Sequence, residues 1–146
     1  TGLSPVDALY SQQWGFTGTH GMRVPGAWDR TTGSGATVAV IDTGITSHPD
    51  LDRNVVPGYD FISDGRAARD GGGRDSNPRD EGDWYAAGEC GIAGASDSSW
   101  HGTHVAGTVA AVADSQGVVG VAPNAKIRRG RGRLPGCRRR GPERED

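Results

Sequence analysis

Val38-Ala39-Val40-Ile41-Asp42-Thr43-Gly44 decides how this 146-residue chain is read. From Ala36 to Ile41 the residues are apolar without alternation, apart from Thr37. A strand with one wet face alternates, whereas a strand covered on both faces does not. The run therefore predicts a strand of a parallel sheet in an α/β protein. It ends on a carboxylate, Asp42, and a glycine turn. Further along stands His101-Gly102-Thr103-His104-Val105-Ala106-Gly107-Thr108-Val109-Ala110-Ala111. That stretch predicts a loop feeding a thin, buried helix from about Thr103 to Ala113. His101 stands at its mouth, and Thr103 is the candidate cap. Gly102 lets the chain approach the strand that carries Asp42.

The other segments are weaker in pattern. Residues 1–19 carry Pro5, Tyr10, Trp14 and Phe16 among polar residues, an extended arm pinned by its aromatics. Val24 to Asp29 predicts a short helix with Pro25 in its first turn, broken by Thr32-Gly33-Ser34-Gly35. Thr43 to Leu51 reads as a loop. Val55 to Ile62 reads as a second strand, interrupted at Pro57-Gly58. Residues 63–99 are mostly loop, and a loop of that length is usually functional or disordered. Trp84, Tyr85 and Cys90 argue that part of it is anchored. Gly117 to Pro123 closes the helix, and Ala125-Lys126-Ile127 begins another strand. No internal repeat is present.

Composition divides the chain at Arg128. Apolar residues make up 34%, glycine numbers 25, and the formal net charge is -2. Residues 1–127 hold 15 acidic against 8 basic side chains, and residues 128–146 hold 3 against 8. An acidic body with a basic tail admits three readings. The tail is a nucleic-acid-binding arm, a solvated linker, or sequence that has left its reading frame or been truncated near Arg128. It has no aromatic residue, and Arg, Gly and Pro together are typical of GC-rich coding sequence read out of frame. The third reading is therefore preferred, with 128–146 aberrant or disordered. No apolar run approaches the ~18 residues of a membrane span. The chain has no initiator methionine and no signal peptide, so any targeting segment is expected upstream.

A strand-end carboxylate and a helix-entry histidine are two members of the relay that activates a serine hydroxyl. The carboxylate orients the imidazole, and the imidazole takes the hydroxyl proton. Taken singly, Asp42 is an ordinary loop carboxylate and His101 a surface or capping residue. The His101/His104 spacing is a weak match to a zinc pair. Four blocks in order favour the relay: Val40-Ile41-Asp42-Thr43-Gly44-Ile45, His48-Pro49-Asp50-Leu51, His101-Gly102-Thr103-His104-Val105-Ala106-Gly107-Thr108 and Gly120-Val121-Ala122-Pro123. Over about residues 10–127 the chain resembles the subtilase (subtilisin-like) serine proteases. Glu89-Cys90-Gly91 and Ser98-Ser99-Trp100 are most similar to the secreted bacterial extracellular-protease type.

The resemblance implies an α/β fold, a subtilisin-like parallel sheet with flanking helices, of which residues 1–127 are the N-terminal part. It implies Asp42 as relay carboxylate and His101, not His104, as general base, in the family order Asp, His, Ser. No Gly-Thr-Ser-Met-Ala-type nucleophile block or Ser-Ala-Gly-Asn-type oxyanion block occurs in the 146 residues. The chain alone is therefore expected to be inactive. A non-catalytic calcium-binding remnant and a basic-tail binding protein remain as other function classes. Calcium is implied at the turn Val112 to Val118, with Asp114 binding by side chain and Val112, Gln116 and Val118 by carbonyls. Asp50 and Gln12 or Gln13 complete that set. A second place, Asp60 to Asp83 with Asp70, Asp75, Asp80 and Asp83, is either a calcium loop or a solvated acidic loop. By resemblance Cys90 pairs with Cys137; two free thiols are the alternative. The implied protein is a secreted monomer acting on protein or peptide substrates, off the membrane, with a propeptide possible upstream and nucleic acid not a partner.

Overall fold

Branched side chains at Thr37, Val38, Val40, Ile41, Val55 and Val56 restrict rotamers and favour extended backbone. In the computed structural model, which describes residues 2–91 and 93–132, they form strands β1 (Thr37–Asp42) and β2 (Val55–Asp60). The two do not pair with each other. Both pair in parallel with β3 (Lys126–Arg131), giving the order β1-β3-β2. The parallel α/β sheet expected from the sequence is present. At Pro57-Gly58 the register slips between Val56 and Tyr59. A Cβ on Gly58 would fall 1.7 Å from Arg129 O, so only glycine fits there.

β3 does not stop where the composition changes. Arg128, Arg129, Gly130 and Arg131 continue it opposite Ala39, Val40, Ile41 and Asp42. Strand pairing uses backbone groups, so arginines are admitted wherever their heads find acceptors. Arg128 Nη1 donates to Pro57 O at 3.1 Å, and Arg131 is buried among acceptors described below. The rest of the arginine-rich tail, residues 133–146 with Cys137, lies outside the described residues, and with it the expected Cys90–Cys137 pairing. Cys90 stands in a short 3-10 turn, Glu89–Gly91.

The expectation that both faces of residues 36–41 are covered is corrected. Helix α4 (His101–Ala110) covers one face, where Val40, Ile45, Leu51, Ala106, Ala110, Ala125 and Ile127 form the core. On the other face Ile41 is 64% exposed, and Tyr59 and Phe61 lie beside each other with ring centroids 5.1 Å apart. The described residues supply only this one helix of more than a turn or so, which is enough for a single face.

α4 also starts and ends earlier than predicted. Trp100, with φ +50°, turns the backbone sharply just before His101, and Ala111 leaves the helix in extended conformation (ψ 143°). Thr103 does not cap it; its Oγ1 accepts from Thr46 N at 3.0 Å. The arm forms a 3-10 turn (Tyr10–Gln12) and α1 (Trp14–Thr17), and α2 (Pro25–Trp28) begins on Pro25 as predicted. Phe16, Val24, Trp28 and Val119 make a second small core. Tyr10 and Phe16 pin the arm against Trp28, while Trp14 is exposed. Among its described residues the 63–99 stretch holds one helix, α3 (Gly65–Ala68), capped by Asp64, and the 3-10 turn.

Candidate active site

β1 ends on Asp42 and α4 begins on His101, and the sheet–helix packing brings the two ends together. His101 Nδ1 lies 2.8 and 2.9 Å from the two oxygens of the Asp42 carboxylate. A carboxylate only accepts, so Nδ1 carries a proton, and in the neutral ring it is Nε2 that offers a lone pair. The Asp42 side chain is 14% exposed and that of His101 47%. The carboxylate is thus sheltered while the ring faces outward, as a base that must reach a substrate requires. Thr43 N donates to Asp42 Oδ1 at 2.7 Å and holds that oxygen in place. His104 lines a groove of about 410 Å³ together with His48, and neither Asp42 nor His101 lines it.

Two close approaches make the juxtaposition possible. A Cβ on Gly102 would fall 2.2 Å from Gly44 O and 3.2 Å from Asp42 Cβ. Gly44, at φ +101°, packs so tightly on the 78–80 backbone that a Cβ would lie 2.7 Å from Asp80 N. Gly102 N donates to Thr43 Oγ1 at 3.0 Å, and the Thr43 hydroxyl donates to Asp80 Oδ2 at 2.5 Å. Ser99, two residues ahead of His101, donates from its N and Oγ to Asp83 at 2.5 and 2.7 Å. Burial pushes the Asp83 carboxyl up, but these Ser99 bonds prevail and hold it below the usual range.

Residues 33–137 match the subtilase family, and that span is most of the chain. The chain belongs to the subtilase family. It is 63% identical over 128 residues to the extracellular protease of Xanthomonas campestris pv. campestris, covering 86% of this chain and 22% of that protein. It is 50% identical over 133 residues to the extracellular basic protease of Dichelobacter nodosus, covering 85% of this chain and 22% of that protein. Among solved structures, a protease of Pseudoalteromonas arctica superposes with a TM-score of 0.85 at 53% identity, over 92% of this chain and 40% of that one. This subtilase chain spans about a fifth of the length of those two curated relatives.

The residues singled out for calcium fall into two sets with different fates in the subtilase structure. The first set converges. Asp50 is buried; its Oδ2 accepts from Val118 N at 3.0 Å, and its carbonyl accepts from Val112 N at 2.8 Å. Asp114 Oδ1 accepts from Gln116 N at 3.1 Å. Of the two candidate glutamines it is Gln13 that reaches this region, exchanging two hydrogen bonds with the Val119 backbone at 2.8 and 3.0 Å. Asp7, which sequence reading passed over, joins them. Its Oδ1 accepts from Asp114 N at 3.1 Å, and its Oδ2 is buried without a hydrogen-bond partner. Nothing in the sequence of the arm signals that role.

The second set does not meet at one point. Asp60 and Asp70 share the Arg131 guanidinium, at 3.0 and 3.1 Å. Burial pushes the Asp60 carboxyl up, against the pull of the Ile62 N–H and the Arg131 charge. Asp75 accepts from Asn77 N at 2.7 Å, and Asp80 and Asp83 serve Thr43 and Ser99. Among the described residues, no three or more His, Cys, Asp or Glu side chains are placed together to hold a metal ion by themselves.

Proposed function

We propose that this chain supplies the acid–base half of a secreted serine endopeptidase, cleaving peptide bonds in proteins or peptides. The observation that carries the reading is the His101–Asp42 pair, 2.8 Å apart, in a chain of the subtilase family. Asp42 holds the imidazole in one tautomer and stabilises its cation. His101 Nε2 takes the proton of a serine hydroxyl as it attacks the carbonyl and returns it to the departing amine. The 146 residues contain no nucleophile block of the family's kind, so the serine and its oxyanion donor are not supplied by these residues. The names of the two extracellular relatives support secretion. The working enzyme is read as a monomer made with an upstream propeptide. No observation favours a calcium-only remnant or a nucleic-acid arm over this reading.

The test is a segment exchange. Residues 10–131 replace the matching segment of the X. campestris extracellular protease, and peptide hydrolysis is measured after secretion. Retained activity is expected. A secreted, folded chimera that neither hydrolyses peptides nor takes a fluorophosphonate label would refute the reading.

Calcium is proposed at the first acidic set. The donor chemistry fits, because oxygen ligands from carboxylates and a turn's carbonyls suit that ion. The orphaned Asp7 Oδ2 is a buried acceptor in want of a cation. Asp50 and Asp114 would hold it by side chain, with carbonyls of Val112, Gln116 and Val118 and the Gln13 amide beside them, while Asp7 braces the Asp114 backbone. Calcium when bound supplies only order, tying the arm to the 112–118 turn. At a hundredfold excess over its dissociation constant, bound calcium is expected to stabilise the chain by about 2.7 kcal/mol. Thermal unfolding with calcium or a chelator checks this. Asp50→Ala should remove the difference, and a difference that survives it would place the ion elsewhere.

A further inference from the structure

We propose that Asp80 is a positioning residue for the Asp42–His101 pair, acting through the Thr43 hydroxyl; the proposal rests on the relay reading above. α4 begins without a side-chain cap of its own, since its N-cap residue is Trp100. The first amides of a helix lack intrahelical acceptors. Thr43, from the end of β1, serves the Gly102 amide at 3.0 Å instead. A threonine hydroxyl has one proton and two lone pairs, and the Gly102 N–H, a donor only, can use nothing but a lone pair. Asp80 keeps the proton out of its way. An ionised carboxylate only accepts, so the Thr43 proton points to Asp80 Oδ2 at 2.5 Å, and a lone pair is left for Gly102 N.

Thr43 and Asp80 are both buried, so solvent is poorly placed to take over either bond. The other Asp80 oxygen accepts from Gly82 N at 2.8 Å, which fixes the carboxylate itself. Thr43 is bonded to Asp42 and Gly102 to His101. The Thr43–Gly102 bond therefore sets the strand end against the helix start, and the 2.8 Å contact between their neighbours follows. Asp83 adds a second tie from the same segment through Ser99. The acidic stretch thus reaches the pair from behind, without touching the imidazole.

The experiment uses the full 146-residue chain labelled with ¹⁵N in its backbone and histidines. Two signals are read: the far-downfield Nδ1–H proton of His101 and the hydrogen-exchange rate of the Gly102 amide. Asp80→Ala and Thr43→Val should each abolish the Nδ1–H signal and speed Gly102 exchange roughly fivefold or more, the loss of one hydrogen bond. Thr43→Ser keeps the hydroxyl and should restore both signals. If Asp80→Ala does not fold, the Thr43→Val and Thr43→Ser pair decides alone. Unchanged signals in Asp80→Ala or Thr43→Val would overturn the proposal, as would an equal loss in Thr43→Ser. Asp42→Ala separates the two readings. Loss of the Nδ1–H signal there, with no loss in Asp80→Ala, sinks the positioning role and leaves the relay standing. A signal that persists in Asp42→Ala sinks the relay geometry and the positioning role with it.

Discussion

His101→Ala, made in the segment-exchange chimera, is expected to lower kcat about a million-fold. That magnitude is the one established for subtilisin, a member of this family. The physical reason is local. With Nδ1 committed to Asp42 at 2.8 Å, Nε2 is the ring's only basic atom, and no other described side chain shares that position. His104 lines a groove that neither Asp42 nor His101 borders, so it is not placed to substitute. Asp42→Ala is expected to cost less, on the order of ten-thousand-fold, because an imidazole without its anchor still visits the right tautomer part of the time. Rates with a chromogenic peptide, normalised to correctly folded protein, check both. A loss below about a hundredfold for His101→Ala would show that another group serves as base.

Arg131→Ala is expected to destabilise the chain by about 3–5 kcal/mol, the range for removing one partner of a buried ion pair. Arg131 is 1% exposed. Its Nη1 bridges Asp60 and Asp70, and its Nη2 donates to Ala68 O. Removing it strands the Asp60 carboxylate, fully buried in the structure, and frees the loop that carries α3. The triad is not a source of large net stability, since desolvating three charges offsets most of their attraction. Nε of Arg131 is also buried without a partner. The cost therefore belongs to breaking the set, not to having it. Arg131→Lys is expected to recover only part of the loss, because a single ammonium cannot span two carboxylates and a carbonyl in the guanidinium's planar geometry. Urea unfolding at neutral pH measures both. A loss under about 1 kcal/mol for Arg131→Ala would mean the carboxylates find other partners.

Arg131 also shows where the sequence was opaque. It sits in a run of Arg and Gly whose composition reads as foreign to any packed sheet, yet its backbone pairs with Asp42 and its head is enclosed. Side-chain statistics speak for strands through apolar residues, and Gly130 and the arginines are silent there. The partner, Asp60 at the end of β2, was read for a metal because a carboxylate in an acidic stretch gives no sign of which cation it meets. Asp42 and His101 were legible because glycine and threonine neighbours mark both turns, and the close approach at Gly102 explains that marking. The one-sided cover of β1 was not legible. A run without alternation records what a strand is built to pack against, not which elements stand within the described residues. Asp7 and Asp80 were opaque for the same reason as Asp60: their roles depend on partners far away in sequence, Asp114 and Thr43.

The sheet order β1-β3-β2 puts the last strand of the three in the middle. β1 and β2 have no strand to pair with until Lys126–Arg131 exists, so the sheet cannot assemble progressively during synthesis. At about 5–20 residues per second, β1 waits on the order of 5–20 s as an unpaired apolar segment on the nascent chain. Closing such distant pairings is also slow in itself. The proposed secretion would gain from that delay, because a chain that has no sheet yet has none to unfold before threading.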